Sequence, residues 1–469
     1  MTASLINRAT AATVPLVPIE SGNFEAWARA QTRPVREWLR ATGFTAARGQ
    51  IGLVPDAAGG LAMAAVGIDP GDPIWSYGDL APRLPVGSYR CAIDLDPAGA
   101  TAAATGWAMG SYRFDRYRRP GRAAAKLVWP KGADRAAVTQ AVAATFLVRD
   151  LVNTPAGDMG PPELAAAARR LARRHGAQYR AIIGRDLLRR NYPAIHAVGR
   201  AAAKAPRLID LRWGRPGAPK VTLVGKGVCF DTGGLDLKSA TGMKLMKKDM
   251  GGAAHVLGLA DMIMAAGLDV RLRVLVPAVE NSVAGDAVYP LDVVPSRSGR
   301  TIEIGHTDAE GRVVLADALT EACRETPDLV VDFATLTGAA RVALGIEVAA
   351  MFCNDDDLAE AVSASARRAA DPVWRLPLWQ PYADYNRSAV ADISNEPSRA
   401  QGGAIAAALF LESFVGADIP WVHFDIMAWN LYDRPGRPKG GEAMGLRAMF
   451  GAIAERFGRR RAPARRTRG

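Results

Sequence analysis

Four carboxylates and three cations lie in short, turn-rich segments of a chain that is otherwise apolar and rich in alanine. These charged residues are Lys226, Asp231, Lys238, Asp249, Asp308, Glu310 and Arg312. If the side chains converge in space, the carboxylates cannot all stay ionised side by side without compensating positive charge. A pair of divalent metal ions is the simplest compensation, so the pattern indicates metal-assisted hydrolysis.

The acidic members of this set are suitable metal ligands. Carboxylate oxygens suit Mn²⁺, Mg²⁺ and Zn²⁺. Asp308 and Glu310 are two residues apart, so an extended or tightly turned backbone can aim both at one point. Gly311 follows them and permits close approach of the backbone. Two metals about 3.5–4 Å apart would deprotonate a bound water and polarise a carbonyl group.

The three cations need separate interpretations. Two adjacent divalent ions would lower the pKa of Lys226, whose neutral amine could then bind a metal. Lys238 would stay protonated and stabilise a developing oxyanion. Arg312 keeps its charge, and its planar fork fits a small carboxylate-like anion. Any one of these residues alone could be a helix cap, a turn residue or part of a surface ion pair; their combination predicts a site.

Composition limits the class of protein. A chain of 469 residues is long enough for two domains, and 49% of them are apolar. The four cysteines form no Cys-x-x-Cys pair, which argues against a disulfide framework and favours a reducing compartment. No apolar run reaches the roughly 18 residues of a spanning helix. We therefore expect a cytoplasmic protein with no membrane partner.

The formal charge of +12 is concentrated at the C-terminal end, where arginines dominate residues 457–469. Such a run predicts a disordered basic tail that aids solubility. Binding of nucleic acid by this tail stays open because arginines pair with phosphates, although no aromatic side chains are interleaved with them to stack on bases.

The proline- and glycine-rich segment 150–162 separates two regions. Residues 1–145 predict a smaller N-terminal α/β domain, and residues 146–456 a larger catalytic α/β domain with a central mixed sheet flanked by helices. In the larger domain, buried strands are predicted at 220–230, 270–279, 328–334 and 421–426. Helices are predicted at 251–266, 313–324, 357–370 and 404–415. Asp231 follows one of these strands, at the edge where such sheets place their sites.

The charged residues and their spacing resemble the leucyl (cytosol) aminopeptidase family. Three segments carry the resemblance: Val-Gly-Lys-Gly-Val-Cys-Phe-Asp-Thr-Gly-Gly at 224–234, Met-Lys-Lys-Asp-Met-Gly-Gly-Ala-Ala at 246–254 and Thr-Asp-Ala-Glu-Gly-Arg at 307–312. Lys238 stands between the first two. The resemblance covers about residues 145–455 and is highly specific, whereas the N-terminal region matches faintly, mostly at 112–117.

The resemblance implies a metal-dependent aminopeptidase that releases N-terminal residues, preferably leucine and other apolar ones, from peptides. It implies one metal ion, Mn²⁺ or Zn²⁺, on Lys226, Asp231, Asp249 and Glu310, and a second on Asp231, Asp308 and Glu310. Lys238 would stabilise the tetrahedral intermediate, Arg312 would hold a bicarbonate as general base, and Asp249 would also bind the substrate amine. Met246, Thr335 and Gly338 would line the first side-chain pocket. The family also implies a homohexamer.

Two positions depart from the family pattern. His306 stands where asparagine is usual, and it is either a helix-entry or core residue or a group that alters hydrogen bonding around the anion site. Leu291 stands where glycine is usual. The alternative function is a DNA-binding or regulatory family member that uses the basic tail. The complete set of predicted ligands favours an enzyme.

Overall fold

The computed structural model describes residues 4–119 and 121–458. The chain divides into two compact units, and the first consists of the residues up to Phe146 together with Asn430–Gly440. The second unit begins at Leu147, is interrupted by Asn430–Gly440, and continues from Gly441. The predicted division at 145/146 did not include the return of Asn430–Gly440 to the first unit.

The first unit contains a six-stranded sheet in the order β1-β6-β5-β2-β4-β3, in which β3 and β4 are antiparallel and the other described neighbours are parallel. Its strands are β1 Leu5–Ile6, β2 Val14–Glu20, β3 Ile51–Pro55, β4 Leu61–Ile68, β5 Ser88–Cys91 and β6 Lys126–Val128. Its helices are α1 Phe24–Arg29, α2 Arg33–Ala41, α3 Leu80–Arg83 and α4 Pro97–Gly110.

The second unit is built on a nine-stranded mixed sheet, as predicted. Its strand order is β16-β15-β18-β14-β9-β11-β8-β7, and β10 pairs with β11 outside this path. The strands are β7 Gln178–Ile183, β8 Arg207–Trp213, β9 Lys220–Gly225, β10 Gly227–Asp231, β11 Arg271–Asn281, β14 Leu329–Ala334, β15 Ala349–Cys353, β16 Val373–Arg375 and β18 Trp421–Asp425. The short strands are β12 Val293–Pro295, β13 Thr301–Glu303, β17 Ile393–Ser394, β19 Trp429–Asn430 and β20 Gly440–Gly441.

Helices flank this sheet. They are α5 Arg135–Asn153, α6 Pro161–His175, α7 Asp186–Arg189, α8 Pro193–Gly199, α9 Ala240–Met243, α10 Gly251–Ala266, α11 Glu310–Cys323, α12 Gly338–Leu344, α13 Asp356–Ala369, α14 Gly403–Glu412 and α15 Leu446–Phe457. Helix α10 lies directly on β14, because a Cβ atom on Gly252 would come within 2.0 Å of Phe333 O. Among the described residues, no helix is long and apolar enough to cross a membrane.

The boundaries of two predicted elements differ from those observed. The run 220–230 is two strands that separate at Lys226, where the backbone N–H donates to Phe333 O at 3.0 Å and the carbonyl accepts from Ala253 N at 2.8 Å. The predicted tail begins inside the last turn of α15, which ends at Phe457. The arginine-rich residues 459–469 lie outside the described residues.

Candidate metal centre

Parallel strands bring the first predicted ligands to one edge of the sheet. Lys226 follows β9, Asp231 is the last residue of β10, and Thr335 follows β14. Strands β9 and β14 are parallel neighbours, and β10 runs parallel to β11. Their carboxyl ends therefore face the same side, where α/β sheets form their sites.

The remaining predicted ligands lie at or just before the starts of two helices. Asp249 lies in the 3₁₀ turn Met246–Met250 that leads into α10, and Glu310 is the first residue of α11. Asp308 precedes α11 in the connecting loop. The five predicted ligands, from distant parts of the sequence, are thus brought together in one cluster.

Lys226 joins two of the carboxylates. Its Nζ atom lies 2.7 Å from Asp249 Oδ2 and 2.8 Å from Glu310 Oε1, and it donates a hydrogen bond to Thr335 O at 3.1 Å. A Cβ atom on residue 311 would lie 2.7 Å from this Nζ. Gly311 is therefore needed for the lysine to reach Glu310 across the start of α11.

Asp231 connects the other half of the cluster. Its Oδ2 atom lies 2.8 Å from Lys238 Nζ, which also contacts Asp308 Oδ1. Its Oδ1 atom accepts hydrogen bonds from Gly233 N at 2.9 Å and Asn281 Nδ2 at 2.8 Å. Carboxylate oxygens of Asp231, Asp308 and Glu310 all lie within 4.8 Å of one another. These are the residues that the resemblance implies for the second metal.

Burial and the charges within the cluster shift the pKa values of its members. Burial favours the neutral amine of Lys226, but the charges of Asp249, Glu310 and Asp231 outweigh it and raise the lysine pKa. Burial, with the charge of Asp231, raises the pKa of Glu310 well above its usual value. The lower pKa expected for Lys226 depends on two adjacent cations, because the protein charges alone act in the opposite direction.

The donor set fits divalent cations. Four carboxylates face two lysines, so the cluster carries two excess negative charges when all are ionised. Burial and the Asp249 charge raise the pKa of Asp231 to about 6. Within the described part of the chain, the buried Oε2 of Glu310 has no hydrogen-bond partner. Buried anionic oxygens without donors are costly unless a cation neutralises them.

Side chains around the ligands hold them in place, and sequence reasoning assigned them no such role. The Thr335 hydroxyl, predicted to line a pocket, donates to Asp249 Oδ1 at 2.7 Å. The Thr307 hydroxyl donates to Gly233 O at 2.6 Å and accepts from Asp236 N at 2.8 Å. This threonine therefore ties the Asp308 loop to the turn after β10. Such contacts set the orientation of metal ligands.

Arg312 is buried beside the cluster. Its Nη1 atom donates to Asn395 O at 2.7 Å, and its guanidinium lies 6.0 Å from the ring centre of Phe410. Its Nε–H has no acceptor among the described residues. Burial lowers the arginine pKa to about 10, so the side chain stays charged at neutral pH and keeps a donor for an anion.

The two departures from the family pattern have distinct surroundings. His306 is no core residue, since 44% of its side chain is exposed. Its Nδ1 accepts a hydrogen bond from Asp308 N at 3.1 Å, so it supports the ligand loop. Leu291 has a φ angle of 69° and is 69% exposed. The left-handed conformation explains why glycine suits this position.

A cleft of about 410 Å³ opens beside the cluster. Among the predicted residues, Lys238, Met246 and Asp308 line it, whereas Thr335 and Gly338 do not. Lys248, Arg341 and Met427 also line the cleft. Lys248 lies within the segment 246–254 that carries the resemblance but was given no role there, and Arg341 and Met427 belong to none of the quoted motifs. Burial lowers the pKa of Lys248 to about 8.

Comparisons with known proteins identify the family of this chain. Residues 146–450 match the catalytic domain of the cytosol aminopeptidase family, and residues 14–130 match the N-terminal domain of M17 aminopeptidases. The chain belongs to the cytosol aminopeptidase family. It is a metal-dependent aminopeptidase that acts on peptides and binds divalent metal ions.

Individual relatives support the same assignment. A probable cytosol aminopeptidase of Geobacter sp. (strain M21) is 41% identical over 377 residues, which are 76% of this chain and 75% of the relative. The crystal structure of the cytosol aminopeptidase of Coxiella burnetii is 48% identical and superposes with a TM-score of 0.93, covering 97% of this chain and 99% of that one. The bottromycin maturation enzyme BotP in complex with Mn is 38% identical, with a TM-score of 0.85 over 95% and 99% of the two chains. These comparisons give the DNA-binding alternative no support.

Proposed function

We propose that this aminopeptidase uses two divalent cations to release apolar N-terminal residues, preferably leucine. One cation would be held by Lys226, Asp231, Asp249 and Glu310, and the other by Asp231, Asp308 and Glu310. The observation that carries the proposal is the convergence of the Asp231, Asp308 and Glu310 oxygens within 4.8 Å, beside the contacts of Lys226 to Asp249 and Glu310.

The chemistry divides between the bound ions and the chain. Two cations supply a deprotonated water and polarise the scissile carbonyl group. Lys238 lines the cleft, and although burial opposes it, the Asp231 charge raises its pKa. Its ammonium donates to the carbonyl oxygen as negative charge develops there. Asp249 accepts from the free amine of the substrate, which restricts cleavage to N-terminal residues.

Arg312 would hold the general base. No described residue accepts a hydrogen bond from its buried Nε–H, which supports binding of a small anion such as bicarbonate. An anion held there by Arg312 would serve as the acceptor for a proton of the attacking water. A neutral substitute at position 312 would remove the anion and leave every predicted metal ligand in place.

Met246 would supply apolar surface for the substrate side chain, since it lines the cleft with Met427. Thr335 and Gly338 would complete the pocket on the adjoining turn, where α12 begins at Gly338. Methionine side chains adapt to several apolar shapes. We therefore expect leucine and methionine to be favoured over charged residues at this position.

Manganese is the first candidate metal, because the related BotP structure contains Mn, and zinc is the second. We also propose a homohexamer of cytoplasmic location, following the resemblance and the name of the family. A mass from analytical ultracentrifugation of six times the 49.7 kDa chain mass would support the hexamer. A stable monomer with full activity would contradict it.

Hydrolysis of leucine para-nitroanilide by metal-stripped protein tests the proposed reaction. Activity should return with added Mn²⁺ or Zn²⁺ and should be absent when the substrate amine is acetylated. Titration should reach full activity at two bound ions per chain, measured by elemental analysis of dialysed protein. Activity that is independent of metal, or that saturates at one ion per chain, would contradict the two-metal proposal.

A further inference from the structure

A second cleft, of about 520 Å³, opens in the larger unit away from the predicted metal ligands. Six arginines line it, three from the strands β7, β8 and β11 and three from loops and the end of α11. They are Arg180, Arg190, Arg212, Arg273, Arg297 and Arg324. Among the described residues, Asp210 and Glu321 lie in the lining, and a third carboxylate, Glu325, pairs with Arg212 and Arg273. The group therefore has an excess of three positive charges.

Two of the arginines form a fixed floor. Arg273 is 7% exposed, and its Nη2 atom lies 2.7 Å from both Asp210 Oδ2 and Glu321 Oε1. Arg297 is 8% exposed, and its guanidinium lies 4.2 Å from the ring centre of Tyr192. These contacts hold the planar groups in place, and the nitrogens of Arg273 already donate to carboxylates. An anion would therefore bind through the exposed arginines of the cleft, over a floor whose shape is fixed.

Other arginines at this cleft are not neutralised. In the part of the chain that the structure describes, neither Arg180 nor Arg190 forms an ion pair with a carboxylate. Both side chains are exposed. Unpaired guanidinium groups on one concave surface attract anions, and several of them favour phosphate because of their fork geometry.

The cleft is separate from the metal centre but is joined to it by one helix. Glu310 and Arg312 stand at the start of α11, whereas Glu321 lies in its last turn and Arg324 follows its end. At 1.5 Å per residue, the two ends that carry these charges are roughly 16 Å apart. A ligand in the cleft therefore does not occupy the position of the predicted metals.

We propose that this cleft binds a small molecule carrying at least two phosphate groups. An excess of three positive charges matches the charge of a diphosphate, and a volume of about 520 Å³ lies in the usual range for small-ligand pockets. A nucleic acid fits less well, because Arg273 and Arg297 lie at the base of a recess rather than along an open surface.

Equilibrium dialysis of the metal-loaded enzyme against ADP tests this inference, with free metal in excess in both chambers. The double variant Arg180→Gln/Arg190→Gln should weaken ADP binding at least tenfold and leave peptide hydrolysis unchanged. The matched control Arg170→Gln/Arg173→Gln removes two exposed arginines of α6 that also lack carboxylate partners among the described residues. It should change ADP affinity less than twofold.

Two further binding measurements show where the anion binds. AMP, with one phosphate, should bind at least fivefold more weakly than ADP, and Asp308→Asn should leave ADP affinity unchanged. Loss of ADP binding in Asp308→Asn would place the nucleotide on the metals and overturn the proposal. Equal binding of ADP to both double variants would also overturn the proposal. So would the absence of ADP binding to the wild-type enzyme, as expected if a second copy of the chain covers the cleft.

Discussion

Lys226 Nζ lies 2.7 Å from Asp249 Oδ2, and both side chains are only 4% exposed. The same ammonium group lies 2.8 Å from Glu310 Oε1, so one buried lysine supplies positive charge to both carboxylates. Burial raises the pKa of Asp249, but the charges of Lys226 and Lys248 outweigh it and lower this pKa. The pKa values of the two acids therefore shift in opposite directions, since burial with the Asp231 charge raises the pKa of Glu310.

Glu310→Gln should remove metal binding with little change of shape. Glutamine keeps the volume but loses the charge, and both predicted cations share this residue, so we expect less than one ion per chain and at least a thousandfold loss of kcat/KM. Elemental analysis and the leucine para-nitroanilide assay measure the two effects. Glu360→Gln, at a side chain that is 72% exposed, is the matched control. Circular dichroism verifies folding in both.

The variant Arg312→Lys should show whether Arg312 holds the general base without contributing to metal binding. The charge is retained but the planar fork is lost, so we expect two bound ions and a loss of about 100-fold in kcat, at the lower end of what a general base contributes. Added bicarbonate should restore less activity than in the wild type. An emptied metal site in this variant would show that Arg312 maintains the ligands instead.

Thr335→Val removes the hydroxyl that donates to Asp249 Oδ1 and preserves side-chain shape. Groups that orient metal ligands typically change affinity or activity by about 10- to 100-fold, and we expect a loss in that range with more metal needed for half-maximal activity. Thr145→Val is the control, because the buried Thr145 hydroxyl has no partner among the described residues. Equal effects of the two substitutions would refute the assigned contact.

Leu291→Gly should stabilise the protein despite deleting an apolar side chain. A φ angle of 69° is unfavourable for leucine by roughly 1–2 kcal/mol, and the greater freedom of glycine in the unfolded chain offsets part of the gain. We expect a net increase of roughly 0.5 kcal/mol in the free energy of unfolding by denaturant titration. Leu188→Gly, at an exposed position of α7, should have the opposite sign.

His255 should make stability depend on pH. Its Nδ1 donates to Gly251 O at 2.6 Å, its Nε2 accepts from Met444 N at 2.8 Å, and burial lowers its pKa from 6.5 to about 4. Between these values the unfolded chain binds more protons, so stability is lost as pH falls from 6.5 towards 4, by roughly 3 kcal/mol. His255→Gln keeps a donor and an acceptor and should flatten this part of the pH profile. An unchanged slope would contradict the assignment.

Sequence patterns predicted much of the larger unit for a physical reason. Continuous apolar runs bounded by turns indicate buried strands, and β11, β14 and β18 were predicted within a few residues. In the N-terminal region, the sequence pattern around residues 22–41 predicts one helical stretch, but the structure has two helices, α1 and α2, and α2 begins at Arg33 beside Pro34. A proline restarts the helix here, and apolar periodicity alone does not detect such a break.

The supporting contacts of the site were less predictable. The division of the strand run at Lys226 depends on backbone hydrogen bonds to Phe333 and Ala253, which are far away in sequence. The roles of Thr307 and Asn281 likewise depend on partners that only the folded chain brings near. Motifs identify which groups could act, whereas distances and hydrogen bonds depend on the tertiary packing of separate segments.

The separation of Asp231 from Glu310 along the chain has a kinetic consequence. These ligands meet only after β9, β10 and β14 have taken their places in a largely parallel sheet, and such long-range pairing is slow. The unfolded chain therefore contains no site of this composition, and ion binding adds its free energy to the folded state alone. During refolding, uptake of metal marks the completion of the sheet rather than its nucleation.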